Sequence, residues 1–317
     1  MLSPALMPFK KNLPVAASLP ALSGFSLLGI EGVEADSFLQ AQTMNDVRAL
    51  APGRWHWNGW LNPKGRLVAL FALARFADDT FIAVLPDFPA AELLPLLQRF
   101  VFRAKVKLRV RDDLVCAGEF DAERSPDDAG DLVDGTIEPG MSLDLSAAGG
   151  ARRLWLLPAA SAALTMPQAV ADARWLDQDL RHGLPRLPAS QREAWTPQML
   201  SLERLNAFSL KKGCYPGQEI VARTHYLGQS KRALRCLQGN GLTVGANVVD
   251  ANGSIGTVIS AAANGRIALA VCSRDAEPGH LQVAEQPLEH LPLLPGLARP
   301  AVTEVTLAGS QIPETGA

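Results

Sequence analysis

The spacing of apolar positions changes rhythm along the chain, and each rhythm predicts an element. In "GVEADSFLQAQTMNDV", residues 32–47, Ala35, Phe38, Leu39 and Gln42 share one face at helical spacing, which predicts an amphipathic helix. "RLVALFALARF" and "TFIAVLP" are apolar runs of strand length, with Asp78-Asp79 turning between them. "PAAELLPLLQRFVF" follows as a helix that Pro95 either begins or kinks. Strand, strand, helix and strand in this order suit an α+β layer.

Residues 104–111, "AKVKLRVR", alternate strictly. Ala104, Val106, Leu108 and Val110 face one side; Lys105, Lys107, Arg109 and Arg111 face the other. The plain reading is an edge strand whose charges deter pairing with another sheet. The sharper one is a face that binds anions, a nucleic-acid backbone among them. Residues 119–144 reverse the sign, with nine Asp or Glu against one Arg, and predict an exposed acidic loop.

Helical spacing returns in "QAVADARWLDQDLRHG", 168–183, where Val170, Ala173, Leu176 and Leu180 form the stripe. Trp175 falls off it, and Gly183 stands at the C-terminal cap. A shorter helix is predicted over "MLSLERLNAF". After residue 233 the chain breaks into short strands. Asn252-Gly253 and Asn264-Gly265 mark hairpins there, so this part is a small antiparallel barrel or sandwich.

Composition narrows the class. A chain of 317 residues, 48% hydrophobic and with net charge −2, holds two or three globular domains, and its overall charge selects neither nucleic acid nor membrane. The longest apolar runs are too short to span a bilayer. Prolines interrupt the first twenty residues, which predicts a loose leader. Cys116, Cys214, Cys236 and Cys272 fit neither a zinc nor a four-cysteine cluster spacing, so no metal site is expected. Scattered thiols suit a reducing cytoplasm.

"KKGCYPGQEIVART", 211–224, is the least ordinary stretch. It holds Cys214 between lysines and a Pro-Gly turn, and Arg223, His225, Lys231, Arg232 and Arg235 follow against one acid, Glu219. Neighbouring cations favour the reactive thiolate. Gly213 and Gly217 permit φ > 0 or close approach of a ligand. Tyr215 offers a face to a flat heterocycle, and Gln218 and Glu219 a donor–acceptor pair. The plain alternative is a small buried cysteine beside solvated lysines. Trp55, Trp57 and Trp60 in "WHWNGW" suit core packing or the rim of an opening. Lys64 and Arg66 could meet an anionic tail, or be solvated.

"KKGCYPGQEIVARTHYLGQSKRAL" resembles the signature of the YgfZ family, folate-binding proteins that support iron–sulfur enzymes. Lys212 through Glu219 match K-G-C-[FY]-x-G-Q-E without departure. "FLQAQTMNDV", "LNPKGRL" and "LRHGLPRL" resemble further family segments, and the resemblance runs from about residue 20 to 275. It implies kinship with the glycine-cleavage T-protein. The implied fold is α+β: a three-domain ring of two α+β domains and a C-terminal antiparallel β-barrel around a folate-sized opening. Expected divisions are a leader 1–19, a discontinuous domain 20–66 with 145–232, an inserted domain 67–144, a barrel 233–295 and a tail 296–317.

T-proteins carry an Asp pair where Val68 and Ala69 stand here, and a pterin-holding Glu where Arg181 stands. Aminomethyl transfer is therefore disfavoured. The resemblance implies a cytoplasmic accessory protein, without classical turnover, that binds tetrahydrofolate or a derivative. It would assemble or repair iron–sulfur clusters, including those of radical enzymes that modify tRNA. Its partners would be iron–sulfur proteins or their assembly factors, with tRNA reached indirectly. Cys214 would be its functional thiol, and Lys212, Gly213, Tyr215, Gly217, Gln218, Glu219 and Arg223 would bind the folate. The rival classes are a folate-dependent one-carbon transferase and an RNA-binding module.

Overall fold

The computed structural model describes residues 18–121, 133–136, 140–228, 230–276 and 280–299. Residues 1–17 of the expected leader and 122–132 and 137–139 of the expected acidic loop lie outside them; Leu19 is buried in a strand, and the described remainder of the acidic stretch is largely strand and not exposed loop. β1 (Leu19–Pro20) opens the chain, followed by β2 (Phe25–Glu31), α1 (Ala35–Gln42), β3 (Arg54–Leu61), β4 (Leu67–Ala77) and β5 (Thr80–Pro86). After α2 (Ala90–Gln98) comes β6 (Lys107–Val110), which completes an antiparallel sheet of order β3-β4-β5-β2-β6.

β4 shows why its sequence reads as one unbroken apolar run. Leu67, Leu70, Ala72 and Ala74 enter the larger hydrophobic core, while Val68, Ala69, Phe71 and Leu73 enter a second core on the other face. Both faces are covered, so no polar alternation is needed. A bulge opposite Trp60 and Leu61 inserts Val68 and lets the alternation slip once. Each large side chain buried this way contributes about 1.5–3 kcal/mol. Trp55, Trp57 and Trp60 are all buried in these cores, so packing is their role.

β7 (Leu114–Phe120), β8 (Val133–Thr136), β9 (Gly140–Asp144) and β10 (Arg152–Pro158) form a second antiparallel sheet of order β7-β10-β9-β8. The short β11 (Leu164–Thr165) pairs parallel with β1, and α3 (Ala169–Arg181) follows. Beyond α4 (Gln218–Tyr226) come β12 (Arg232–Gln238), β13 (Asn247–Asp250), β14 (Gly253–Ala261), β15 (Ile267–Ser273), β16 (Leu281–Val283) and β17 (Gln286–Leu291). They close into the six-stranded antiparallel barrel β12-β15-β14-β13-β16-β17, with both Asn-Gly pairs at hairpin turns.

Several expectations need correction. α1 stops at Gln42, five residues short of the expected end, because the side chain of Gln40 turns the chain back. Its Oε1 accepts the amides of Val47 and Arg48, at 2.8 and 3.3 Å. Of the two places left open for Pro95 the interior of α2 is the one it takes, with Pro89 preceding the helix. "MLSLERLNAF" forms only a 3-10 turn, Leu202–Leu205, between left-handed Ser201 and Asn206.

On α3, Leu180 of the expected stripe is fully buried, but Val170 and Ala173 are exposed, and Trp175, expected off the stripe, is only 1% exposed. The inner face runs through Ala171, Trp175 and Asp179, and the buried acid hides it from a hydrophobic count. The basic row is broken as well. Arg109 pairs with Glu31 at 3.2 Å, and the buried Arg111 pairs with Asp113 at 2.7 Å, leaving Lys105 and Lys107 exposed.

Two expected divisions also read differently. The boundary at 66 and 67 runs through the turn of the β3–β4 hairpin, whose strands share one sheet. Residues 296–299 are not loose. Leu297 O accepts Trp57 Nε1 at 2.8 Å, and Arg299 donates to Asp144 O at 2.6 Å.

Candidate functional site: a thiol loop and a three-way cleft

The signature loop is laid against the end of α1. Ser209 N donates to Met44 O at 2.9 Å, and Gln40 Nε2 donates to Lys212 O at 3.1 Å. Lys212 turns inward. Its Nζ donates to Thr43 O and lies 4.8 Å from the centre of the Tyr215 ring. Burial, aided by Arg48 and opposed by Asp46, lowers its pKa to about 7. The neighbouring His56 is buried too, and burial with the Lys212 charge lowers it to about 3.

Lys212 gives the fold a pH dependence of definite sign. Its folded pKa lies below the unfolded value, so between pH 7 and about 10 the unfolded chain binds more protons and stability rises with pH. The melting temperature of the wild type should climb from pH 7 to 9 relative to Lys212→Met. Identical slopes in the two proteins would contradict this account of the amine.

Two glycine turns interlock beneath the loop. Gly217, at φ +77°, caps α4 from the left-handed region. A Cβ there would stand 2.6 Å from Asn62 O and from Gly65 Cα. Gly65, at φ +67°, would put its own Cβ 2.8 Å from Ile220 Cβ. The "LNPKGRL" turn and the signature turn therefore fit only as a pair without side chains. Arg66 is tied back to Ala194 O at 2.5 Å, whereas Lys64 is exposed.

Of the four cysteines Cys214 alone is exposed. Burial raises Cys116 to about 12, and Cys236 and Cys272 to about 11. Gly213, at φ +95°, has open space where a Cβ would be, so the backbone beside the thiol is approachable. Tyr215 departs from expectation. Only 7% of it is exposed and Lys212 covers one ring face, so it props the loop and presents no stacking platform. Gln218, Glu219 and Arg223 lie on α4, and their side chains make no hydrogen bond among the described residues. His225 is exposed on the same helix.

A cleft of about 360 Å³ opens where the first sheet, α3 and the barrel meet. Phe25 and Asp87 come from the first sheet and its edge, Asp172 and Trp175 from α3, and Ser260 and Ala261 from β14. Phe25 and Trp175 pack edge to face, with centroids 6.3 Å apart. Arg186 lies over Phe25 at 4.8 Å and is held by Asp87 and by Asp179, the latter at 3.1 Å. Asp172 Oδ1 accepts Ser23 N at 2.8 Å.

None of the expected folate-binding residues of the signature lines this cleft, and neither does Arg181. Sequence reasoning missed Phe25, Asp172 and Arg186. The only available sign was Arg186 within "LRHGLPRL", since the others carry no local pattern. Val68 and Ala69, at the place of the T-protein Asp pair, are buried among apolar side chains.

No protein-family model matches the chain. Among curated proteins it is 32% identical over 232 residues to "tRNA-modifying protein YgfZ" of Vibrio vulnificus strain CMCP6, covering 69% of each. To the protein of that description from Aliivibrio fischeri strain ATCC 700601 / ES114 it is 28% identical over 245 residues, 75% of this chain and 76% of the relative. Among solved structures, glycine cleavage system aminomethyltransferase T from Bartonella henselae matches with TM-score 0.68 and 15% identity. That match covers 88% of this chain and 85% of the other, and shares the fold alone. With a relative of nearly one-third identity over two-thirds of both chains, on a three-part fold ending in a closed barrel, the chain belongs to the YgfZ family.

Proposed function

We propose that this protein binds tetrahydrofolate or a derivative and supports the assembly or repair of iron–sulfur clusters, including those of enzymes that modify tRNA, with Cys214 as its working thiol. The contrast among the four cysteines carries the reading. Three are buried and raised in pKa, and the one in the signature is exposed on a loop anchored on both sides. A sulfur so held can meet a cluster or a partner's thiol without opening the core.

The three-way cleft is the place that suits a folate. Half-buried Phe25 supplies an aromatic wall for a flat ring, with the buried Trp175 packed edge to face behind it. A pterin presents an edge rich in donors, which calls for an acceptor. Asp172 fits that need: Ser23 engages one oxygen, and the other makes no hydrogen bond among the described residues. When bound, folate would supply a one-carbon carrier or a redox-active ring. The chain's own part is to hold the ring between apolar walls and exclude water from it. Val68 and Ala69 offer no carboxylate to assist aminomethyl transfer, so transferase chemistry is not part of the proposal.

The test pairs two measurements. In cells lacking the protein, wild type should restore the activity of an iron–sulfur enzyme that modifies tRNA, and Cys214→Ser should fall about tenfold or more short at equal protein level. Equal rescue would remove the thiol from the function. Titration with tetrahydrofolate should quench tryptophan fluorescence in the wild type, chiefly through Trp175. No quenching at any soluble concentration would leave the cleft without this ligand.

A further inference from the structure

α4 is a helix that keeps most of itself outside the protein. Of its nine residues only Val221 is fully buried. Nine residues are too few to be helical alone, and the interlocked Gly217 and Gly65 turns fix its first turn. Arg223 and Tyr226 lie four and seven residues beyond Glu219 and so share its face, Leu227 caps the helix beside Tyr226, and all four are exposed. Tyr226 is 67% and Leu227 80% exposed. Two adjacent large apolar side chains presented to water are an uncompensated cost unless something covers them.

The charge around this face is one-sided. Lys211, Arg223, Lys231 and Arg232 are exposed and form no ion pair among the described residues. Glu219 is the one acid on the helix face. Glu203, nearby in the fold, is already 4.0 Å from Arg274, whose amide donates to Lys231 O. Tyrosine and arginine together, ringed by solvated charge, have the composition of a protein-binding hot spot. Leu227 separates a protein from a nucleic acid, because an aliphatic side chain gains nothing by stacking on bases but fills an apolar notch.

We propose that the outer face of α4, with Lys231 and Arg232, docks a protein partner whose surface carries an apolar notch for Tyr226 and Leu227 rimmed by Asp and Glu. The inference rests on the proposed function and names the partner of the same site, because Cys214 immediately precedes the turn that starts α4. A partner seated on this face has its edge against the thiol loop. Docking and sulfur chemistry then belong to different residues: the helix face selects the partner, and Cys214 acts on what the partner brings.

The experiment uses the full chain with the photo-crosslinking residue p-benzoylphenylalanine at position 226, in cells lacking the native copy. Irradiation should give a protein adduct whose crosslinked peptide, read by mass spectrometry, is flanked by Asp or Glu. Reversing Arg223, Lys231 and Arg232 to Glu should reduce the adduct about tenfold or more, and lysine in place of the partner's flanking acids should restore it. The same probe at Phe102, an exposed aromatic far along the chain, should not give that adduct. Melting temperatures of the reversed variants control for folding. The proposal is overturned by no adduct at 226, by an adduct indifferent to charge reversal, or by an RNase-sensitive adduct. Cys214→Ser separates the two readings. If rescue survives that change while the adduct persists, the thiol reading fails and docking stands; if rescue is lost and no adduct forms, docking alone fails.

Discussion

Replacing Asp179 by leucine should cost about 3–5 kcal/mol of stability, the expected loss when one partner of a buried ion pair is removed. Asp179 is 1% exposed and its Oδ1 lies 2.7 Å from Nη1 of Arg152, which is wholly buried. Burial lowers the Arg152 pKa and Asp179 is the group that opposes it. The guanidinium is otherwise bounded by the Trp175 ring at 4.6 Å and Trp175 O at 3.2 Å, neither of which replaces a full negative charge. Arg186 suffers less because Asp87 still holds it. Scanning calorimetry should show the lowered transition, and the double variant Arg152→Met/Asp179→Leu should recover most of it, since an apolar pair leaves no charge stranded. A single-variant loss below about 1 kcal/mol would show that water or relaxation already serves Arg152.

The second large effect is expected at Gly217. Alanine there meets a left-handed backbone and a steric wall together, because the added Cβ lies within 2.8 Å of three backbone atoms of Asn62 and Gly65. Backbone strain and overpacking sum to about 2–5 kcal/mol. Gly213→Ala is the matched control: φ is +95° but the space is open, so only the conformational cost of about 1–2 kcal/mol applies. Thermal unfolding should rank the two variants in that order. Alkylation of Cys214 by iodoacetamide should keep its rate in Gly213→Ala and change in Gly217→Ala, as the signature turn is pushed off the β3–β4 turn. Equal losses in the two would mean that the turns do not interlock.

Much of the architecture was legible because it rests on local rules. The Asn-Gly pairs placed barrel hairpins, since only such residues accept the φ a tight turn demands. The run in β4 read as a buried strand because both its faces meet apolar layers. The misreadings share a different cause. Gln40 ended α1 by accepting amides further along the chain, and Asp179 entered a core because Arg152 and Arg186, on either side of it in the chain, neutralise it. Arg109 and Arg111 left the supposed anion face for carboxylates on β2 and in the β6–β7 turn. In each case a polar side chain found a partner that no periodicity count contains.

The sequence by itself determined the family, the strand-rich C-terminal part and the one cysteine worth watching, because motif identity and turn chemistry are written in consecutive residues. Tertiary structure decided what surrounds that cysteine. It turned Lys212 and Tyr215 into props for the loop and gathered Phe25, Asp172, Trp175 and Arg186 into a cleft apart from the signature. Burial, charge pairing and cavity shape are properties of residues far apart in the chain, and they come into being only when the three parts meet.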